Sequence, residues 1–269
     1  MIEGYYVPKD IREAVELRVS LGEGAWFLGG GTELNSLDAP QVEREHLISI
    51  EGLGLNRFET ADGVLVIGAG CTIQEMVEAD DVPEIVKKAC LQVENRSIRN
   101  QATIGGHIAA GHPYASVLPI LVALEAEVDV VASDGTPNSD PIGDHIGGSR
   151  KALITAVRIP VLPADLGAAV NQHSRSAIDL AMLSVAAAFR RTGDVVNDPR
   201  IVVGGLAAQP RRLFDVEQQL AGRALPEQGE IEKLVVSLVQ ADADLRATAE
   251  FKRYMVGALV ARALVEVAS

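Results

Sequence analysis

Cysteine is almost missing from this 269-residue chain, which has only Cys71 and Cys90. An iron–sulfur cluster takes four thiolates and a cysteine-rich zinc site nearly as many. Neither is expected here, and each cysteine reads as a buried free thiol. Positive charge is scarce as well. The 24 lysines and arginines face 37 acidic residues, a formal charge of −13, and no basic run occurs. Nucleic acid, which calls for a basic patch to displace counterions, is thereby excluded as a partner. No apolar stretch reaches the length of about 18 residues that a membrane span needs. Met1–Pro8 (MIEGYYVP) has neither the positive nor the apolar region of a signal peptide, so a cytoplasmic protein is expected. Three glycine motifs are missing too. Without G-x-G-x-x-G or G-x-x-x-x-G-K-[ST], the Rossmann and P-loop readings fail on spacing. Without G-x-S-x-G there is no nucleophile turn for Ser-His-Asp hydrolysis.

What is present is an ordinary globular composition, 48% hydrophobic and 23% charged. A chain of this length buries roughly three quarters of its unfolded surface. Its central stretch is Arg96–Ser116, RSIRNQATIGGHIAAGHPYAS, almost uncharged after Arg99. Gly105-Gly106 can take φ > 0 and lets another molecule approach its backbone, with the Thr103 hydroxyl beside it. An apolar run follows from Pro113 (Val117, Leu118, Ile120, Leu121, Leu124), predicting a helix with Pro113 in its first turn. Glycine backbone feeding a helix start gathers N–H groups and the positive helix end, which suits an anion. Upstream lies a second cluster, Gly29-Gly30-Gly31-Thr32-Glu33, after the short apolar strand Trp26–Leu28. Either cluster alone is equally a plain tight turn.

Along the chain, Asp10 and Glu13 cap a helix on whose face Ile11, Ala14, Val15 and Leu21 fall. His46–Ile50 and Val64–Ala69 read as strands, and Thr72 with Glu75 caps a helix through Val77. Pro83–Val93 is helical. Ala126–Ala132 alternates like an edge strand, Ser133–Ser149 reads as loop, and Leu153–Ile159 returns as a strand. Pro163–Gly167 is the best domain boundary, with composition shifting toward Arg, Gln and Ala beyond it. Ile231–Gln240 and Thr248–Val267 are helical by pattern.

The two glycine loops, Leu28-Gly-Gly-Gly-Thr-Glu-Leu34 and Arg99-Asn-Gln-Ala-Thr-Ile-Gly-Gly-His-Ile108, resemble the FAD-binding subunit of the molybdenum hydroxylases, the xanthine dehydrogenase and carbon monoxide dehydrogenase group. Three later segments resemble that family's C-terminal domain: Arg175–Ala181, Gly204–Arg212 and Asp244–Arg253. The resemblance implies an α+β fold. A two-lobed FAD-binding domain of the PCMH/vanillyl-alcohol-oxidase type would span 1–163, with lobes of about 1–53 and 54–163, and a smaller α+β domain 164–269. It implies that Leu28, Gly29, Gly30, Gly31, Thr32, Glu33 and Leu34, with Thr103, Ile104, Gly105, Gly106 and His107, wrap the pyrophosphate and adenosine side of FAD. Ala110 to Ser116 would run beside the ribityl chain and isoalloxazine, and Ile154 would touch the ring. It also implies partners: a small [2Fe–2S] subunit and a large molybdopterin subunit in a dimer of heterotrimers, with electrons leaving FAD to a soluble or quinone acceptor.

The chain departs from the family pattern at three places. His107 stands for the Asn usual after Gly-Gly, Ser116 for an Asp, and Asn171 for a Lys. A cation near flavin N1 stabilises the reduced anion, so losing the Lys is expected to lower the potential or slow reaction with the acceptor; His173 is a candidate stand-in. His107 and His112 lack a third partner for zinc and read as loop or flavin-edge residues. No residue is a convincing general base. Two further readings stay open: a self-sufficient FAD-dependent oxidoreductase of the same fold, and a structural subunit that has lost its flavin.

Overall fold

The structure, a computed structural model, describes residues 2–35, 45–147, 152–176 and 179–269. It divides into two compact units, each drawn from three separate stretches of chain. The first comprises residues 1–82, 95–111 and 125–160. It opens with β1 (Gly4–Tyr6), α1 (Ile11–Leu21), β2 (Ala25–Leu28) and β3 (His46–Ser49), whose strands form a parallel sheet in the order β1-β3-β2. Helix α1 begins as expected where the Asp10 side chain accepts from the Glu13 N–H. The Glu13 carboxylate turns back one residue further, onto the Lys9 N–H at 2.7 Å. Its Ala14 and Val15 pack with Ala25, Ile48, Ile50, Leu55 and Leu153 in one apolar cluster.

A second, antiparallel sheet of the same unit runs β4-β5-β8-β6-β7. Its strands are β4 (Phe58–Ala61), β5 (Val64–Gly68), β6 (Glu127–Val131), β7 (Pro137–Pro141) and β8 (Leu153–Pro160). Two expectations are corrected here. The stretch Ser133–Ser149 is not all loop, since β7 lies in it, and β6 is therefore interior. Pro137 and Pro141 hide the strand from a pattern reading, yet proline is tolerated where one side of a strand faces no partner, as on this edge. Three helices complete the unit: α2 (Ile73–Glu78), α4 (Arg96–Arg99) and α5 (Ile104–Ala110). Thr72 and Glu75 close a full capping box on α2, as the sequence predicts.

The second unit comprises residues 83–94, 112–124 and 161–269. An antiparallel sheet in the order β12-β11-β10-β9 is built of β9 (Leu166–His173), β10 (Leu183–Thr192), β11 (Val195–Gly204) and β12 (Arg211–Arg212). Around it lie α3 (Glu84–Leu91), α6 (Leu118–Ala123), α7 (Phe214–Leu220), α8 (Gln228–Leu238) and α9 (Ala249–Ala268). Phe189, Ile201, Ile231, Val256, Val260 and Leu264 centre its core. The helix expected from Pro113 starts later, at Leu118, with Pro119 taking the first-turn position and His112–Val117 left as a loop. Both compact units mix helix and sheet, the α+β class that the sequence resemblance implied.

Candidate cofactor site

Strand β2 delivers the first glycine loop. Its last carbonyl, on Leu28, accepts from the Ile50 N–H at 3.0 Å, and the Asn35 N–H reaches back to the Gly31 carbonyl at 3.0 Å to close a single turn. Gly31 takes φ +71° there, the only left-handed residue among the five loop glycines. Between these anchors, among the described residues, no backbone N–H from Gly29 to Glu33 donates to a protein acceptor. Five successive free donors at half-buried positions offer fixed partial positive charge, the kind of backbone group that receives phosphate oxygens.

The second loop does something else. Ala102 accepts from the Ile73 N–H at 2.8 Å, the Ile104 N–H donates to the Cys71 carbonyl at 2.9 Å, and the Gly105 N–H to the Ala69 carbonyl at 3.0 Å. Thr103 caps α5, its hydroxyl accepting from the Gly106 N–H at 3.1 Å and its carbonyl from the His107 N–H at 2.9 Å. The opening N–H groups of α5 are therefore all committed within the chain. Gly105 and Gly106 sit inside this short helix with ordinary negative φ. The expectation of a loose Gly-Gly turn with its donors open to an anion is corrected: the donors belong to the first loop, and the second supplies a wall.

Four glycines explain how the two loops fit. A Cβ on Gly30 would lie 1.5 Å from the Gln101 carbonyl oxygen, and one on Gly29 2.6 Å from Thr103 Oγ1. One on Gly105 would lie 2.7 Å from the Ala69 Cβ. These three are glycine because chain packs on chain. Gly106 differs, since its Cβ would meet only Thr103 Oγ1, at 3.0 Å, and the residue is exposed. It leaves an open face on the wall. His107 and Ala110 are half-buried along α5, and Leu34 and Thr32 lie half-buried in the first loop. Ile154 is half-buried in β8 opposite Val130. Its neighbour Thr155 accepts the Ala69 N–H at 2.9 Å, which joins β8 to the residue under Gly105.

Ser116 belongs to the second unit, buried, its hydroxyl donating to Gln172 Oε1 at 3.2 Å. In the same unit Asn171 donates to Glu266 at 3.4 Å, and the His173 ring lies tilted against Phe251 with ring centroids 5.9 Å apart. His112 also lies there, accepting from the Tyr114 N–H at 3.2 Å, whereas His107 is in the first unit. Both cysteines are buried free thiols, as expected. Burial, with the nearby Glu75 charge, pushes the Cys71 thiol up to about 11, which makes it inert at neutral pH.

One cluster went unread in the sequence. Lys252, 2% exposed, donates to Asp244 Oδ2 at 2.6 Å and to the Gly205 carbonyl at 2.8 Å. Tyr114 donates its hydroxyl to the same Asp244 oxygen, and Asp244 Oδ1 accepts the Arg246 and Ala247 N–H groups at 2.8 and 3.0 Å. Burial pushes the Asp244 carboxyl up, but hydrogen bonds from Lys252, Tyr114 and the two N–H groups outweigh it, holding it well below the carboxylate range. The same burial, with Asp244 accepting its proton, pushes the Tyr114 phenol up to about 12. Asp244 and Lys252 sit 130 and 138 positions from Tyr114, a separation at which no periodicity or motif gives a signal.

Among the described residues no group of three or more His, Cys, Asp or Glu side chains could hold a metal ion, and no helix is long and apolar enough to cross a membrane. What the two loops offer is narrower: a run of free backbone donors, walled by glycine-packed chain, fit for the pyrophosphate of a dinucleotide. Comparison with known proteins agrees. Residues 1–162 match the FAD binding domain in molybdopterin dehydrogenase, and residues 168–267 the CO dehydrogenase flavoprotein C-terminal domain. The chain belongs to this flavoprotein family. It is 32% identical to YgfM of Escherichia coli K12, over 97% of this chain and 95% of that one. To the carbon monoxide dehydrogenase medium chain of Hydrogenophaga pseudoflava it is 27% identical, again over 97% and 95%. The solved carbon monoxide dehydrogenase from that organism, a form lacking the Mo-pyranopterin moiety of the molybdenum cofactor, superposes with a TM-score of 0.92, covering 99% of this chain and 97% of that one.

Proposed function

We propose that this chain is the FAD-carrying medium subunit of a molybdenum-dependent dehydrogenase complex, and that it passes electrons from [2Fe–2S] clusters on a small subunit to an external acceptor. The observation that carries the reading is the run of unpaired backbone donors from Gly29 to Glu33, packed by Gly29 and Gly30 against Gln101–Thr103. Bound FAD supplies the redox chemistry, exchanging electrons singly or in pairs. The chain's own residues do the rest. Gly29–Glu33 donate to the pyrophosphate, and Leu28 and Leu34 border the loop. Thr103, Ile104 and Gly105 hold the wall in register through Cys71 and Ala69. Gly106 lets the ligand come close, with His107 and Ala110 further along the same helix. Ile154 offers an apolar contact, whereas Ser116, in the second unit, donates its hydroxyl to Gln172. Dipoles instead of lysines meet the anion, which suits a chain of net charge −13.

Two separate cysteines are too few for an iron–sulfur cluster, and among the described residues no group of three or more His, Cys, Asp or Glu side chains could hold a metal ion. A large subunit with molybdopterin supplies the substrate chemistry, the whole assembling as a cytoplasmic dimer of heterotrimers with a soluble or quinone acceptor. The test is purification of the native complex. FAD should appear in the supernatant on denaturation, and molybdenum and iron should be present in proportion to flavin. A chain that emerges alone and oxidises a substrate by itself overturns the electron-transfer reading in favour of a self-sufficient flavoenzyme. Colourless protein that stays empty after incubation with FAD leaves a flavin-free structural subunit.

A further inference from the structure

Gln74 is buried on α2, 7% exposed, and its amide is held at both ends. Its Nε2 donates to Glu78 Oε1 at 2.8 Å, and its Oε1 accepts from Arg99 Nε at 3.0 Å. With an anion on the donor side and a cation on the acceptor side, the amide has one satisfied orientation. The Arg96 guanidinium closes on the same Glu78 oxygen at 2.7 Å. All four side chains belong to the first unit, where they join α2 to α4. Gln74 and Arg99 stand 25 positions apart, beyond the reach of any local pattern.

What this bridge serves follows from where α4 leads. Only Asn100 separates Arg99 from Gln101, whose carbonyl oxygen fills the space that a Cβ on Gly30 would need. Helix α2 holds the same stretch a second time through its own start. The Ile73 N–H donates to the Ala102 carbonyl at 2.8 Å, and the Ile104 N–H to the Cys71 carbonyl at 2.9 Å. Residues 99–104 are thus fixed to one helix at both ends, and Gly29 and Gly30, whose N–H groups are free, pack directly on them. A binding array loses affinity when its support lets it move by about 0.5 Å. We infer that Gln74, with Arg99 and Glu78, is a positioning residue: the bridge fixes Gln101–Thr103, and through it the placement of the Gly29–Glu33 donors and their affinity for the pyrophosphate. The inference rests on the FAD reading above. None of the three need touch the ligand.

The test uses the full chain, with FAD as the probe. Gln74→Met keeps the length and the burial of the side chain and deletes both hydrogen bonds. Its FAD Kd should rise about tenfold, the change expected on losing a charge-assisted hydrogen bond. Gln74→Glu keeps an acceptor for Arg99 but sets two carboxylates side by side, and should weaken FAD as well. The double variant Gln74→Glu/Glu78→Gln exchanges the two groups, remakes both hydrogen bonds and leaves the net charge as it was. It should bring the Kd back toward wild type, which a general loss of stability would not do. If Gln74→Met does not fold, the Gln74→Glu single and double variants decide. Wild-type Kd in the single variants, or a double variant as weak as Gln74→Glu, overturns the inference while leaving the FAD reading intact. A wild-type chain that takes up no FAD overturns both.

Discussion

The Gln101 carbonyl oxygen stands where a side chain on Gly30 would have to begin, 1.5 Å from an ideal Cβ, while the same construction on Gly106 meets only a hydroxyl at 3.0 Å. The two glycines should therefore fail differently. Gly30→Ala forces the first loop off the second and should cost about 1–3 kcal/mol, the range for overpacked sites, with loss of bound FAD. Gly106→Ala, inside a helix, should leave stability unchanged or raise it by about 0.5–1 kcal/mol, because alanine loses less backbone freedom there. It should still lower FAD content if that face receives the ligand. Denaturant midpoints read beside flavin-to-protein ratios separate the two outcomes. Cys71, with its thiol pushed up to about 11 and no exposed surface, should resist alkylation at pH 8 until the chain unfolds. The presence of both loops was legible from residue identity. Which glycine serves the fold and which the ligand was not, since that depends on where an absent Cβ would point.

Among the elements, α2 and α5 show how far local chemistry reaches. The Thr72/Glu75 box is complete in the sequence and complete in the structure, because every atom it needs lies within four residues. Thr72→Ala should lower stability by about 1 kcal/mol, read as a shift in denaturant midpoint without change in slope. Helix α5 reads from the sequence as a loose glycine turn, because the Gly-Gly pair it contains argues locally against a helix, whereas its cap Thr103 is fixed by a bridge to Thr72 that only the fold supplies. Strand β7 was missed for a related reason: its pairing with β6 is satisfied by backbone, so prolines and polar residues suffice at an edge. The Tyr114 tether has a pH signature at this scale. Its phenol is raised from about 10 unfolded to about 12 folded, so the stability it contributes is fully present below pH 10 and is lost as pH rises through 12. Thermal unfolding between pH 9 and 12 should fall less steeply in Tyr114→Phe than in wild type.

At the scale of the molecule, each compact unit takes its chain from three places. Helix α6 buries Leu118, Ile120 and Leu121 completely, and it packs on β10 and β11 of its own unit. A fragment cut at Pro163 keeps α3 and α6 but loses the sheet that covers them. Such a fragment should aggregate or elute as a large species on size exclusion, where the full chain does not. A monodisperse, FAD-binding fragment 1–163 would mean that the first 163 residues form an autonomous domain despite those two helices.

The sequence by itself determined the family, the α+β class, the positions of both glycine loops and the caps of α1 and α2, because these rest on residue types and short spacings. Tertiary structure decided which loop carries free donors, since an N–H is free or committed only once partners such as Cys71 and Ala69 are in place. It decided that α3 and α6 join the C-terminal sheet, and that Tyr114, Asp244 and Lys252 meet at all. Those facts depend on contacts between residues distant in sequence, 36 positions for Gly105 and Ala69 and 130 for Tyr114 and Asp244, where apolar burial and hydrogen-bond geometry choose partners that no local pattern records.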